Sequence, residues 1–194
     1  MVKQEFHNFG FIKTKVPDDV LSYIKDEVNG IGESTENSSG ISGVVGVGSM
    51  THYNFKNPSI LKDFVLDQCQ HYLNAFGPAV DYKLRSDGID PDLCQLIAHE
   101  PWINIQNQTE WLPPHDHSGL ISYTIWVSLP EKSTFEFIYN TIAGDTMKSQ
   151  LTLTPENEGE LIFFPSKILH CVHPFFNSNK TRITVAGNIG VTHD

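Results

Sequence analysis

Positive charge is scarce in this chain. Of its 194 residues, 13 are Lys or Arg against 23 Asp or Glu, a formal charge of −10. Affinity for nucleic acid comes largely from clustered cations that displace counterions from phosphate. The few cations here are scattered, so no nucleic-acid partner is expected. Cysteine is also scarce: Cys69, Cys94 and Cys171 are an odd number at unrelated spacings. That excludes a disulfide framework and fits reduced thiols packed in apolar surroundings. Long hydrophobic runs are missing. No segment approaches the roughly 20 apolar residues of a membrane span, and Met1 to Phe11 lacks the apolar core of a secretory signal. A cytoplasmic protein without a membrane partner is expected. Internal repeats and low-complexity tracts are absent as well.

What is present is an ordinary globular composition, 39% hydrophobic and 19% charged. A chain of this length can bury roughly 70% of its unfolded surface, so it needs neither disulfides nor a structural metal. One domain over residues 1–194 is expected. Pro17 and Asp18 open a short helix with Val20, Leu21, Ile24 and Val28 on one face, closed by Gly30. A second helix begins at Asn57 as cap and Pro58 as first residue. Ile60, Leu61, Phe64, Val65, Tyr72, Leu73 and Phe76 give it an apolar face, and Gly77-Pro78 ends it. The Gly-, Ser- and Asn-rich run 29–48 reads as a loop, either a lid near a site or plain surface. Lys83 to Asp92 reads as a polar connection.

From Leu93 onward the texture changes to short β-branched or alternating runs: Leu93–His99, Trp102–Gln106, Leu120–Leu129, Thr134–Tyr139, Gln150–Leu153, Glu160–Phe164 and Arg182–Val191. With no helical pattern between them, these predict a mainly β protein, a closed antiparallel double sheet with N-terminal packing helices.

Two segments carry chemistry. In Leu112-Pro113-Pro114-His115-Asp116-His117-Ser118-Gly119, extended chain puts His115 and His117 on one side and Asp116 on the other, a spacing that suits a metal. In Gly159 to Pro174, a strand runs into a proline turn, and His170 follows on the next extended stretch; Arg182 opens the last strand.

Together PPHDHSGLIS, GELIFFPS, HCVHP and RITVAGN, in that order, resemble the 2-oxoglutarate/iron(II) dioxygenase superfamily, and within it a branch of small bacterial and phage-encoded members. The likeness covers about the C-terminal half, residues 93 to 191. It implies a double-stranded β-helix, the jelly roll, and a cytoplasmic location that would be the host's where the gene is phage-borne. It implies Fe(II) held by His115, His117 and His170, three ligands that leave three positions for a chelating 2-oxoglutarate and O₂. It further implies that Arg182 pairs with the far carboxylate of 2-oxoglutarate, since a bidentate guanidinium suits that task better than an ammonium.

Many members carry a carboxylate where His117 stands, and imidazole leaves the site one negative charge poorer; Asp116 is the alternative second ligand. His173 also precedes a proline, but the family's ligand matches His170, so His173 is expected at the surface or behind the site. His7, His52, His71, His99 and His193 have no partner at ligand spacing. Asn104, Tyr123, Thr124 and Asn188 are candidates to bind substrate or co-substrate, and Trp102, Trp111 and Trp126 to pack the core or line the mouth.

The implied reaction is hydroxylation of a C–H bond of a small-molecule or peptidyl substrate, prolyl-type included, with 2-oxoglutarate decarboxylated to succinate. A cupin-like three-histidine metalloenzyme without 2-oxoglutarate, using zinc, manganese or iron, and a non-enzymatic jelly-roll module are the readings left open. The sequence is compatible with a homodimer.

Overall fold

A computed structural model describes residues 9–33 and 51–193. Most of the run read as a lid, and His7, lie outside the described residues; the part of the run that is described ends in a 3-10 turn at Gly30–Glu33.

Among the described residues eleven strands form two antiparallel sheets. The larger has the order β1-β9-β6-β11-β4-β2: β1 (Ile12–Lys15), β9 (Glu160–Pro165), β6 (Ile121–Ser128), β11 (Arg182–His193), β4 (Trp102–Gln106) and β2 (Thr51–Asn54). A seventh strand, β3 (Cys94–Ala98), pairs with the end of β11 beyond the part that β4 occupies. The smaller sheet runs β5 (Leu112–His115), β10 (Leu169–Val172), β7 (Ser133–Asn140) and β8 (Thr146–Leu153).

Strand periodicity divides the larger sheet cleanly. On β6, Tyr123, Ile125 and Val127 face one way, joining Ile103 of β4, Leu161 and Phe163 of β9 and Val185 of β11 in a core against the helices. Trp126, with Ile162 and Phe164 of β9, faces the other way and packs on Phe135, Phe137 and Leu153 of the smaller sheet. A sheet packed on both faces buries successive positions, and β6 is buried without interruption from Ile121 to Val127.

The helices cover the outer face of the larger sheet. In α1 (Asp18–Asn29) Ile24 is fully buried, with Val20, Leu21 and Val28 packed around it. In α2 (Ser59–Ser86) Leu61, Val65, Cys69 and Tyr72 are buried. Its cap is Pro58 rather than Asn57, with the Pro58 carbonyl accepting the first helical bond from Lys62 N at 2.9 Å.

Gly77-Pro78 does not end this helix. Phe76 leaves helical geometry (φ −128°, ψ 15°), the axis kinks, and the helix resumes to Ser86. A proline in the first turn of a helical segment loses no hydrogen bond, and Ala79, Val80 and Leu84 gain burial by continuing. Lys83 to Ser86 are therefore helical, and the polar connection begins at Asp87.

Strands β1, β2, β5 and β10 are four residues each, too short for alternation to announce them. β5 contains Pro113 and Pro114, tolerated because it lies at the edge of its sheet. Among the described residues no helix is long and apolar enough to cross a membrane.

Candidate metal and co-substrate site

Between the two sheets lies a cavity of about 460 Å³, in the range of a small-ligand site. Three imidazoles meet at one side of it. In the β5–β10 pair His115 stands opposite His170. His117 follows two residues later, held by its amide, which donates to Ser166 O at 2.8 Å. Ring centroids are 4.2 Å apart for His115 and His170 and 5.0 Å for each of the other two pairs. The Nε2 atoms of His117 and His170 are 3.2 Å apart. One ring nitrogen from each residue lies within 4.8 Å of the others.

The tautomers follow from the partners. His115 Nδ1 lies 2.8 Å from Pro113 O, and His170 Nδ1 lies 3.1 Å from Ile168 O. A carbonyl only accepts, so both Nδ1 atoms carry the proton and donate it, leaving each Nε2 lone pair free. Charge is also controlled. Burial, then the neighbouring His115 and His117, draws the His170 pKa down to about 3. Burial and His115 draw His117 to about 4, against the opposing pull of Asp116. Burial lowers His115 as well, opposed by its bond to Pro113 and by Asp116.

At neutral pH all three rings are uncharged and able to donate to a cation. Phe135 stacks on His170 (5.4 Å, 22°), and Phe164 meets it edge-on at 4.9 Å. Three neutral, pre-oriented imidazoles fit a borderline transition metal such as Fe(II). Asp116 turns aside: its carboxylate pairs with Lys167 Nζ at 3.3 Å near the surface, so His117 rather than Asp116 faces the other two rings.

The same cavity is lined by a guanidinium. Arg182 is 2% exposed. Its Nη1 donates to Gln106 Oε1 and to His173 O, each at 3.0 Å, and its Cζ lies 5.1 Å from the centroid of the Phe175 ring. Burial lowers its pKa to about 10, with Glu131 opposing, so it remains a cation at neutral pH. Its Nε and Nη2 are buried without a hydrogen-bond partner among the described residues. Buried donors in that condition cost stability unless a ligand or water satisfies them. A carboxylate is the ligand that satisfies two guanidinium nitrogens at once.

Asn104 and Thr124 line the same cavity. Asn104 Nδ2 donates to Thr184 Oγ1 at 3.2 Å, and its buried Oδ1 has no partner among the described residues. The other two pocket candidates are corrected. Tyr123 lies on the opposite face of β6, in the core beneath the helices, where its ring fills the space beside Gly187. Asn188 faces inward, but beyond Ala186, the last β11 residue of the cavity, and its Oδ1 accepts from Ser122 Oγ at 2.7 Å.

Trp102 and Trp126 line the cavity, with the Trp102 ring 5.6 Å from that of His117. His52, read as a histidine without a partner, also lines it; burial and His115 lower its pKa. Only the short strand β2 brings it there, and nothing in its sequence neighbourhood signals that. A second cavity of about 560 Å³, lined by Phe9, Phe11, Phe137, Tyr139 and Ile168 among others, contains no such group of ligating side chains.

The architecture is that of a double-stranded β-helix, and solved structures with the same fold bear this out. A Pseudomonas putida prolyl-4-hydroxylase matches with a TM-score of 0.57 at 13% identity, over 96% of this chain and 94% of that one. AviO1 from Streptomyces viridochromogenes Tue57 matches with a TM-score of 0.59 at 11% identity, over 95% and 91%. HygX from Streptomyces hygroscopicus, with nickel and 2-oxoglutarate bound, gives 0.53 at 12% identity, over 94% and 83%. Identities this low establish the fold alone.

In sequence, residues 100–188 match the family model described as "Putative 2OG-Fe(II) oxygenase". That stretch, a little under half of the chain, contains all three imidazoles and Arg182, and together with the fold it supports membership of the 2-oxoglutarate/Fe(II) oxygenase superfamily. The same match supports an oxygenase of the 2-oxoglutarate-dependent kind, a class that uses Fe(II), 2-oxoglutarate and O₂. No curated protein matches the sequence.

Proposed function

We propose that the protein hydroxylates a C–H bond of a small-molecule or peptidyl substrate. Fe(II) would be held by His115, His117 and His170, and 2-oxoglutarate by Arg182. The observation that carries this reading is the pair of partnerless guanidinium nitrogens, buried in the same cavity as three neutral imidazoles. Once bound, the iron and its co-substrate supply oxygen activation coupled to decarboxylation of 2-oxoglutarate to succinate and CO₂.

The chain's own residues do the rest. Gln106 and the His173 carbonyl fix the guanidinium plane, so its two free nitrogens are set to grip a carboxylate without reorganisation. The Pro113 and Ile168 carbonyls hold the His115 and His170 rings in the donating tautomer. Phe135, Phe164 and Trp126 wall the site with apolar surface that limits water. Asn104, Thr124 and His52 present polar atoms to the remaining space and are the proposed substrate contacts. The structural neighbours include a prolyl-4-hydroxylase, and prolyl-type hydroxylation is the first substrate class to assay.

The test is anaerobic addition of Fe(II) and 2-oxoglutarate, followed by admission of air. A weak visible charge-transfer band should form, succinate should be released, and both should be lost in His170→Ala. Tight Fe(II) binding with no response to 2-oxoglutarate would favour a three-histidine metalloenzyme of another kind. No metal uptake would sink the enzymatic reading.

A further inference from the structure

Glu136 is a carboxylate only 2% exposed, on the face of β7 turned away from the cavity. Directly across the β7–β10 pair stands Cys171. His173 lies two residues further on, and its amide extends the ladder by donating to Thr134 O at 2.9 Å. Residues alternate along a strand, so Cys171 and His173 share the back of β10 while His170 occupies the front.

The donor atoms converge. Cys171 Sγ is 3.9 Å from Glu136 Oε1 and 3.7 Å from His173 Nε2, and His173 Nε2 is 3.7 Å from Glu136 Oε2. A tetrahedral zinc ion, with bonds of about 2.3 Å to sulfur and 2.0–2.2 Å to nitrogen and oxygen, needs donors about 3.3–3.6 Å apart. The observed separations, taken to Glu136 Oε1 from Cys171 and to Oε2 from His173, exceed that by a few tenths of an ångström, and one donor atom from each residue lies within 4.8 Å of the others. We propose that Glu136, Cys171 and His173 form a second cation site, separate from the imidazole triad, for a thiophilic divalent ion of the zinc class.

The donor set of one sulfur, one nitrogen and one oxygen selects such an ion over magnesium or calcium, which take oxygen alone. Lys148 Nζ, 3.3 Å from Glu136 Oε1, neutralises the carboxylate in the absence of an ion. Its side chain is 64% exposed, so it can swing into solvent when a metal arrives. Gln150 Nε2 donates to Glu136 Oε2 and holds the carboxylate in place. The His173 side chain is 42% exposed, which gives the ion a path in and a fourth position for water. On binding, the Cys171 thiol releases its proton to solvent and ligates as thiolate. The ion would tie β10 to β7 directly behind His170 and beside the carbonyl that holds Arg182.

This proposal does not depend on the oxygenase reading, and cobalt separates the two. Chelator-treated protein is titrated anaerobically with Co(II), and the near-ultraviolet thiolate-to-cobalt charge-transfer band is recorded. The triad has no sulfur, Cys69 is fully buried on the inner face of α2, and Cys94 Sγ donates to Pro91 O away from any group of ligating side chains among the described residues, so the band reports Cys171. It should appear in the natural protein, persist in His115→Ala, bleach on addition of Zn(II), and vanish in Cys171→Ser. His173→Ala, at a half-exposed position that folding tolerates, should weaken Co(II) binding at this site at least tenfold. Absence of the band, its survival in Cys171→Ser, or an unchanged Co(II) affinity in His173→Ala would overturn the proposal while leaving the Fe(II) and 2-oxoglutarate assay unaffected.

Discussion

His115 and His170 face each other across the β5–β10 pair with ring centroids 4.2 Å apart, each ring fixed by a carbonyl of its own strand neighbourhood. The two sides of the site are therefore locked by sheet pairing, and His117 closes the triangle from the turn that follows. Alanine at either paired position should abolish stoichiometric Fe(II) binding, and His117→Ala should weaken it; metal analysis after anaerobic loading reads this directly. Near-equal loading of all three variants would show that the rings are not ligands.

Arg182 offers a sharper separation of metal from co-substrate. Arg182→Ala should keep Fe(II) yet weaken 2-oxoglutarate by about 2–5 kcal/mol, the usual cost of removing one partner of a buried charged pair, or a rise in Kd of about 30-fold or more. Arg182→Lys should rescue little, because an ammonium cannot reproduce the two-pronged grip. Calorimetric titration of 2-oxoglutarate into metal-loaded protein checks both.

Ligand occupancy should raise thermal stability in two steps. A ligand at 100 times its Kd stabilises by about 2.7 kcal/mol, and in a chain of this size each kcal/mol is worth roughly 2–4 °C. Metal followed by 2-oxoglutarate should therefore give successive shifts of several degrees in differential scanning calorimetry. In Arg182→Ala only the first should remain.

The metal-free protein should lose stability as pH falls from about 6.5. An unfolded histidine takes up a proton near that pH, whereas folded His117 and His170 resist until about 4 and 3. Between those limits the unfolded state binds more protons, so stability must rise with pH and fall on acidification. His170→Gln should flatten this dependence, as measured by urea unfolding from pH 7 to pH 4; an equal slope in both proteins would contradict it.

Phe163, fully buried between β9 and the helices with Tyr123 at 6.1 Å, anchors the outer core and touches nothing in the cavity. Phe163→Ala should cost about 3–5 kcal/mol of stability. Among molecules that remain folded, Kd for 2-oxoglutarate should be unchanged, which denaturant titration and calorimetry together can test.

The sequence displays this site better than it displays the scaffold that builds it. The His115-x-His117 pair, the distant His170 and Arg182 are legible because metal and carboxylate chemistry restrict residue type and spacing. Most of the longer strands are legible because their apolar content is dense, whereas β8, exposed over residues 146–148, shows itself only at Gln150–Leu153. Strands of four residues leave no periodicity to read, and for that reason His52 on β2 escapes notice.

The continuation of α2 past Gly77-Pro78 depends on the burial of Ala79, Val80 and Leu84, a tertiary gain that local turn chemistry does not report. Tyr123 was open to correction from the outset: it neighbours Thr124 on one strand, so only one of the two could face the cavity. Asn188 has the same parity as Arg182, and only the register shows that it sits one inward-facing position beyond Ala186, where the cavity lining on β11 stops.

The two prolines of β5 bear on what can approach the site. This strand forms a border of the smaller sheet beside the triad, and Pro113 and Pro114 remove two of its four amide donors. Another polypeptide seeking to zip alongside would find little to bond with. Self-association through that border is discouraged, and recognition of an incoming molecule is left to the side chains around the opening.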